Sequence, residues 1–302
     1  MRILITGGTG FVGSNLVIEL MKQGHEILIT GSDAEQRIPN FKGKYLQPSF
    51  LGLDWKSISK IDVLFHQAAI NDTTNLDKRE MFLANVESSK KLFKEAVKNG
   101  CKRIIYASST AAYGDAPAPY KEDGPMMPMN PYGESKKKLD QFAIKFAKEN
   151  LKIIIVGLRY CNIYGPRENH KGPRASIIYQ LAQQMKVKDP DIIFRDGESR
   201  RDHVYVKDVV RANILAMKAK ESCIVNCGTG KSTSYNEIVA VLNSVLGTKR
   251  KIKYRDNPYK DRFQTFTQCD MSLAKEKIGF VPDYDIKKGI TDYYKSGYLI
   301  LE

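Results

Sequence analysis

The sequence predicts an α/β fold: a Rossmann-type doubly wound parallel sheet joined to a smaller α/β substrate-binding domain. Short apolar strands alternate with amphipathic helices over the first two thirds of the 302-residue chain, and alternation of that kind builds parallel sheets. A glycine-rich turn, Gly7-Gly8-Thr9-Gly10-Phe11-Val12-Gly13, follows the first strand directly and opens the first helix. After Gly165-Pro166 the alternation loosens into loops that hold arginines and aromatic residues, the pattern of an appended ligand-binding region.

In chain order, Ile3-Leu4-Ile5 marks a buried strand from Arg2 to Thr6, and a helix runs from about Phe11 to Lys22. Strands follow at Glu26 to Thr30 and Asp62 to His66, then a helix near Lys78 to Lys98 and a strand from Arg103 to Ala107. A helix from about Tyr132 to Lys148 precedes a β-rich run at Lys152 to Gly157. Beyond it lie a helix near Ala175 to Lys186 and a short strand at Ile192 to Phe194. Val204-Tyr205-Val206 with the helix after it, and the strand Cys223 to Asn226, are expected to rejoin the main sheet. The dinucleotide-binding domain is therefore placed at 1–165, with 203–231 returning to it, and the substrate-binding domain mainly at 166–302. No internal repeat or low-complexity segment is visible.

With 42% hydrophobic residues the chain can bury a sizeable core. The N-terminus enters a strand without a signal-peptide pattern, and no apolar run reaches membrane-spanning length, so a cytoplasmic protein without membrane partners is expected. Five cysteines, Cys101, Cys161, Cys223, Cys227 and Cys269, are scattered and odd in number, which argues against a metal or disulfide framework. The net charge of +14 sits mostly on helix faces such as Lys136-Lys137-Lys138, and no nucleic-acid-binding motif accompanies it. A solvated basic surface and a small anionic substrate account for it without a nucleic-acid partner.

Gly7, Gly10 and Gly13 meet the requirements of a phosphate-binding turn: a tight bend, close approach of pyrophosphate to backbone amides, and close helix-to-sheet packing. The end of the second strand normally carries an acid for the adenosine ribose. Here Thr30-Gly31-Ser32-Asp33 stands there, with Arg37 nearby, and small residues plus a cation favour NADP, with NAD open because Asp33 can swing in. Tyr132 and Lys136 stand one helical turn apart in a YxxxK spacing, so phenol and ammonium share a face and the cation is expected to lower the phenol pKa. Ser109, with Ser108 and Thr110 as alternatives, is placed to orient a sugar alcohol or ketone against Tyr132. The run from Arg159 to Gly172 follows a buried strand, at the edge where such sheets bind ligands. In it Lys171 can serve as a second acid/base, and farther on Arg201 can hold a diphosphate. His66 and His203 read as packing or hydrogen-bonding residues.

Five stretches together resemble the extended short-chain dehydrogenase/reductase superfamily over nearly the whole chain: GGTGFVG, HQAA at His66 to Ala69, YASSTAAYG at Tyr106 to Gly114, PYGESK at Pro131 to Lys136, and RRDHVYVKDV at Arg200 to Val209. Within it, RYCNIYGPRENHKG from Arg159, CIVNCGTG from Cys223 and RFQTFTQCD from Arg262 resemble the ADP-glycero-manno-heptose 6-epimerases of the lipopolysaccharide-core pathway. The resemblance implies tightly held NADP, a nucleotide-sugar substrate and a homo-oligomer. It implies Tyr132 and Lys171 as the two acid/base groups, Lys136 on the nicotinamide ribose and Ser109 at the reacting carbon. The cofactor would be lined by Gly7, Gly10, Phe11, Val12, Gly13, Ser32, Arg37, Ala68, Ala69, Asn85, Tyr132, Lys136 and Ile163. The nucleotide sugar would meet Ser109, Asn162, Lys171, Phe194, Arg195, Asp196, Gly197, Arg201 and Phe263. Pro173, Gln180 and Phe263 depart from residues common at those family positions. Another epimerase, dehydratase or reductase of the superfamily is the alternative, although Ala111-Ala112 stand where a dehydratase places its acids. A dinucleotide-sensing regulatory protein is the non-enzymatic one.

Overall fold

The computed structural model describes residues 1–32, 37–72, 76–192, 197–256 and 264–300. In chain order the strands are β1 (Arg2–Thr6), β2 (Glu26–Thr30), β3 (Lys44–Gln47), β4 (Val63–His66), β5 (Arg103–Ser109), β6 (Ile154–Tyr160), β7 (Asn162–Tyr164), β8 (Asp191–Ile192), β9 (Arg200–Tyr205), β10 (Cys223–Cys227), β11 (Ser232–Ser234) and β12 (Lys253–Tyr254). The helices are α1 (Phe11–Lys22), α2 (Lys78–Phe82), α3 (Ser88–Lys98), α4 (Pro131–Glu149), α5 (Ile177–Val187), α6 (Val206–Ala216), α7 (Tyr235–Leu246), α8 (Ser272–Ile278) and α9 (Ile286–Lys295). A π-helical turn, Leu83–Glu87, joins α2 to α3. Among the described residues no helix is long and apolar enough to cross a membrane.

Seven parallel strands form the main sheet in the order β10-β6-β5-β4-β1-β2-β3. The central strands are apolar on both faces because helices cover both. Ile3 and Ile5 of β1 pack with Leu16 and Val17 of α1 and Val209 of α6. Leu4, pointing the other way, joins Phe93 of α3 and Leu139 of α4. After β1 the chain builds outward to β2 and β3, then crosses back to β4, so the strand order reverses at the carboxyl ends of β1 and β4, where open sheets bind ligands.

Arg200–Tyr205 does not rejoin this sheet. β9 pairs with β7 and β11 in a separate three-stranded sheet, while α6 returns to pack against α1 and β10 takes the edge beside β6. The smaller region is closed by α5, α7 and α9 around Tyr164, Leu181, Tyr205, Ile238 and Ile290. The edge strand β3 is half polar and partly exposed, which hides it from an apolar-run reading. Of the expected strand Ile192 to Phe194, Ile192 ends β8, and residues 193 and 194 lie outside the described residues.

The element that carries the YxxxK pair is fixed with particular care. Pro131 occupies the first turn of α4, and the Asn130 side chain accepts from the Gly133 amide at 2.9 Å, two local signals that start a helix at that point. Asp140 continues the Tyr132–Lys136 stripe by one more turn. Its fully buried carboxylate accepts from Tyr106 Oη of β5 and from Arg159 Nε of β6, both at 2.8 Å. Arg159 in turn donates to Tyr113 Oη at 2.8 Å, and Tyr113 to Asn226 Oδ1 of β10 at 2.7 Å. Breaking a buried pair on one side strands the other charge, so Asp140→Ala is expected to destabilise the protein by about 3–5 kcal/mol in urea-unfolding titrations. A loss under about 1 kcal/mol would show that the pair is not the anchor described.

Candidate active site

The glycine turn forms one end of a cavity of about 1260 Å³. Gly7 has φ of 67°, and its carbonyl accepts from the Gly10 amide at 2.9 Å, while Gly8 N–H donates to Thr30 O at 2.8 Å. A Cβ on Gly7 would stand 2.8 Å from the Ala68 nitrogen, and one on Gly13 would overlap the Gly7 carbonyl oxygen. The glycines therefore let three chain segments close on one another. Among the described residues no side chain caps the amide end of α1, and Gly10, Phe11, Val12 and Gly13 open onto the cavity with Ala68 and Ala69. Free amides and the helix dipole at that point suit a diphosphate. The cradle fits a dinucleotide lying across the β1/β4 switch point.

Ser32 and Arg37 line the same cavity beside the end of β2. Arg37 Nη1 reaches Thr9 O at 3.3 Å, and Arg167 Nη1 donates to Arg37 O at 2.8 Å, which ties this corner to the loop after β7. Asp33 lies outside the described residues. Asn85 is not part of the wall. It is 1% exposed in the π-turn, where it accepts from Ile70 N–H at 2.9 Å and donates to Ile70 O at 2.8 Å. It pins the Ala68-Ala69 segment from behind.

Tyr132, Lys136 and Ser109 converge on the cavity where α4 meets the end of β5. Lys136 Nζ donates to Ala107 O at 2.8 Å and stands 5.7 Å from the centre of the Tyr132 ring. The expected lowering of the Tyr132 pKa by this cation is not what the geometry gives. Burial raises the phenol above its usual value, and the opposing effect comes from a hydrogen bond with Ser109. Burial also brings the Lys136 ammonium down to about 8, with the Asp140 charge working against that fall. Burial thus favours the neutral phenol, and the hydrogen bond with Ser109 works the other way. Ser108 also borders the cavity; it is 2% exposed, and its hydroxyl finds no partner among the described residues.

Lys171 enters from another element, the 3₁₀ segment Asn169–Arg174, with Nζ 5.3 Å from the centre of the Phe11 ring. Burial lowers its pKa, Glu168 pulls it up and Arg174 lowers it further, a balance suited to a proton-accepting amine. Glu168 is a residue the motifs did not announce. Fully buried, it accepts from Gly165 N–H at 3.0 Å and from Ser176 Oγ at 2.9 Å, and so braces both ends of the Lys171 loop. Its only signal was an acid three residues before Lys171. Asn162, Ile163 and Arg201 complete the far wall. Gly197 does not line it; its carbonyl accepts from Asn236 N–H at 3.3 Å. Phe194, Arg195, Asp196 and Phe263 lie outside the described residues.

His66 is structural: its ring bonds Thr6 Oγ1 at 2.7 Å and Ser89 Oγ at 2.8 Å. Although scattered in sequence, Cys161 and Cys269 meet beside Asp202, with ligand atoms of the three within 4.8 Å of one another. Asp202 is already engaged by Thr229 N–H at 2.7 Å and Gly230 N–H at 2.9 Å, and burial pushes both thiols up. Because a side chain at Gly13 cannot coexist with the Gly7 carbonyl, Gly13→Ala is expected to weaken dinucleotide binding at least ~100-fold in fluorescence titration while circular dichroism stays native. Undiminished affinity would remove the turn from the site.

Residues 3–228 match the NAD dependent epimerase/dehydratase family. The ADP-L-glycero-D-manno-heptose-6-epimerase of Alkalilimnicola ehrlichii is 33% identical, with 96% of each chain covered. The crystal structure of the Helicobacter pylori enzyme of that name superposes with a TM-score of 0.87 at 34% identity, covering 99% of this chain and 96% of that one. The Thermotoga maritima UDP-glucose 4-epimerase, solved with UDP-glucose, gives 0.88 at 29% identity over 98% and 99% of the chains. A matched span that runs from β1 through β10, together with relatives of more than 30% identity along nearly the full length, makes this chain an enzyme of the NAD dependent epimerase/dehydratase family.

Proposed function

We propose that the chain is an NADP-dependent nucleotide-sugar epimerase that inverts C6 of ADP-glycero-manno-heptose through a transient carbonyl. The observation that carries this reading is that two proton-carrying side chains on different elements, Tyr132 on α4 and Lys171 on the loop after β7, face one cavity whose other end is the glycine cradle. Inversion removes hydrogen from one face of a carbon and returns it to the other, so it calls for proton handling on both sides of the sugar. A bound nicotinamide dinucleotide supplies the redox capacity for both halves. Tyr132, oriented by Ser109, carries the proton of the sugar hydroxyl on one side, and Lys171, backed by Glu168, carries it on the other. Lys136 holds the ribose next to the nicotinamide, and Asn162 and Arg201 hold the nucleotide sugar. The heptose is inferred from the names of the relatives. Ala111 and Ala112, in the 3₁₀ turn after β5, are not acids, which speaks against dehydration.

Purified protein given ADP-glycero-manno-heptose without added reductant is expected to form the C6 epimer, followed by proton NMR. Tyr132→Phe should lower turnover ~10²–10⁴-fold with dinucleotide binding kept, the usual range for a lost acid/base group. Lys171→Met should fall within the same range, and unchanged turnover there would assign the second proton transfer to another group. For the cofactor, the cation Arg37 at the end of β2 and the small residues Gly31 and Ser32 favour a 2′-phosphate. Arg37→Ala is expected to cut the preference for NADP over NAD by about tenfold or more in equilibrium titrations, since a charge-assisted hydrogen bond to phosphate is lost. A parent protein that holds NAD at least as tightly as NADP would overturn that assignment.

A further inference from the structure

The fold buries two histidines in contrasting ways. His66 has a partner on each ring nitrogen. His203, only 4% exposed, has none on either among the described residues. The sequence reading of His203 as a packing or hydrogen-bonding residue is therefore incomplete: it packs edge-on against Tyr164, with ring centres 6.5 Å apart, but makes no hydrogen bond among the described residues. Buried polar atoms without partners are rare in native folds, and such a group calls for a functional reason or a bound partner.

Position supports that. Asn162 of β7 and His203 of β9 are register partners, and Arg201 stands two residues along the same strand. Paired residues of neighbouring strands share a face, as do alternate residues of one strand, so Asn162, Arg201 and His203 leave the sheet on one side. All three line the cavity, whereas Val204 on the alternate face is buried in the core. Burial, assisted by the charge of Arg201, keeps the imidazole neutral, with a pKa of about 3. One nitrogen then donates and the other accepts. Turning the ring about its Cβ–Cγ bond exchanges a carbon for a nitrogen at each edge, and no hydrogen bond to the described residues is lost because neither nitrogen has one to lose.

We infer that His203 is a substrate-contacting residue whose imidazole N–H donates to a phosphoryl oxygen of a nucleoside diphosphate held between Asn162 and Arg201. The inference rests on the nucleotide-sugar reading above and adds a residue to its substrate site. The test is calorimetric titration of ADP and UDP into the dinucleotide-loaded protein, for the parent, His203→Phe and His203→Gln, with thermal midpoints and steady-state kinetics alongside. His203→Phe keeps a ring and removes both unmet nitrogens. It should weaken the tighter-binding nucleotide about tenfold or more, the effect of losing one hydrogen bond to a charged group. KM should rise far more than kcat falls, with a thermal midpoint no lower than the parent's, and Gln should restore part of the affinity. A histidine that only packs would give the opposite split, a lower midpoint with nucleotide affinity unchanged, and that result overturns the inference, as does a Phe variant that binds within about twofold of the parent. A parent that binds neither ADP nor UDP would instead bring down the nucleotide-sugar reading itself, and His203's role with it.

Discussion

The buried carboxylate of Asp140 is the point on which the geometry of the candidate site hangs. Tyr132, Lys136 and Asp140 follow one another at intervals of four along α4 and so share one stripe of the helix. Two of them face the cavity, and the third is bonded to β5 through Tyr106 and to β6 through Arg159. A helix packed only by apolar side chains retains some freedom to slide and roll. A carboxylate with both oxygens committed to different strands removes much of that freedom, because any displacement strands a charge in the interior. The same charge also opposes the fall of the Lys136 pKa that burial produces. One interaction thus fixes where Tyr132 stands and helps keep its neighbour protonated.

The remainder of the site follows from the sheet's strand order. Reversal between β1 and β4 opens a crevice at their carboxyl ends, and the glycine turn, Ala68-Ala69 and the end of β5 all reach it because each continues a parallel strand. The second proton carrier of the proposed reaction, Lys171, does not belong to that sheet, whose strands approach the crevice from one side. It comes from the loop after β7, which the three-stranded sheet and Glu168 hold in place. Asn15 Nδ2 of α1 donates to Pro166 O at 3.0 Å, so this loop is also tied to the helix that begins at the glycine turn. Substrate-side and cofactor-side residues are in this way set against one another by hydrogen bonds that belong to neither ligand.

Much of this was readable because the physics is local or periodic. Buried parallel strands appear as continuous apolar runs such as Ile3-Leu4-Ile5, a glycine turn is a contiguous motif, and Tyr132 and Lys136 need only one helical turn to meet. What escaped reading depends on long-range pairing. Nothing in the sequence pairs Asp140 with Arg159, or sends Arg200–Tyr205 to β7 and β11 instead of the main sheet. Asn85 reads from the resemblance as a cofactor-lining residue, whereas the fold engages its carboxamide with the backbone of Ile70. The YxxxK spacing gives Tyr132 a cation as its activating neighbour, whereas Lys136 turns to the Ala107 carbonyl and Ser109 takes that place. The state of His203 was equally illegible, since being without a partner is a property of everything around a residue.

In the proposed reaction one hydrogen leaves C6 and returns to it within one cavity, so that proton carriers on two sides are needed but no external reductant is. The most direct measurement follows a deuterium label placed at C6 of ADP-glycero-manno-heptose through turnover in ordinary water, read by NMR and mass spectrometry of the epimerised product. Retention of the deuterium at C6 in the inverted sugar is the predicted result. Product in which that deuterium has been replaced by solvent hydrogen would contradict the account, since it would mean that C6 inverts by deprotonation and reprotonation with solvent exchange.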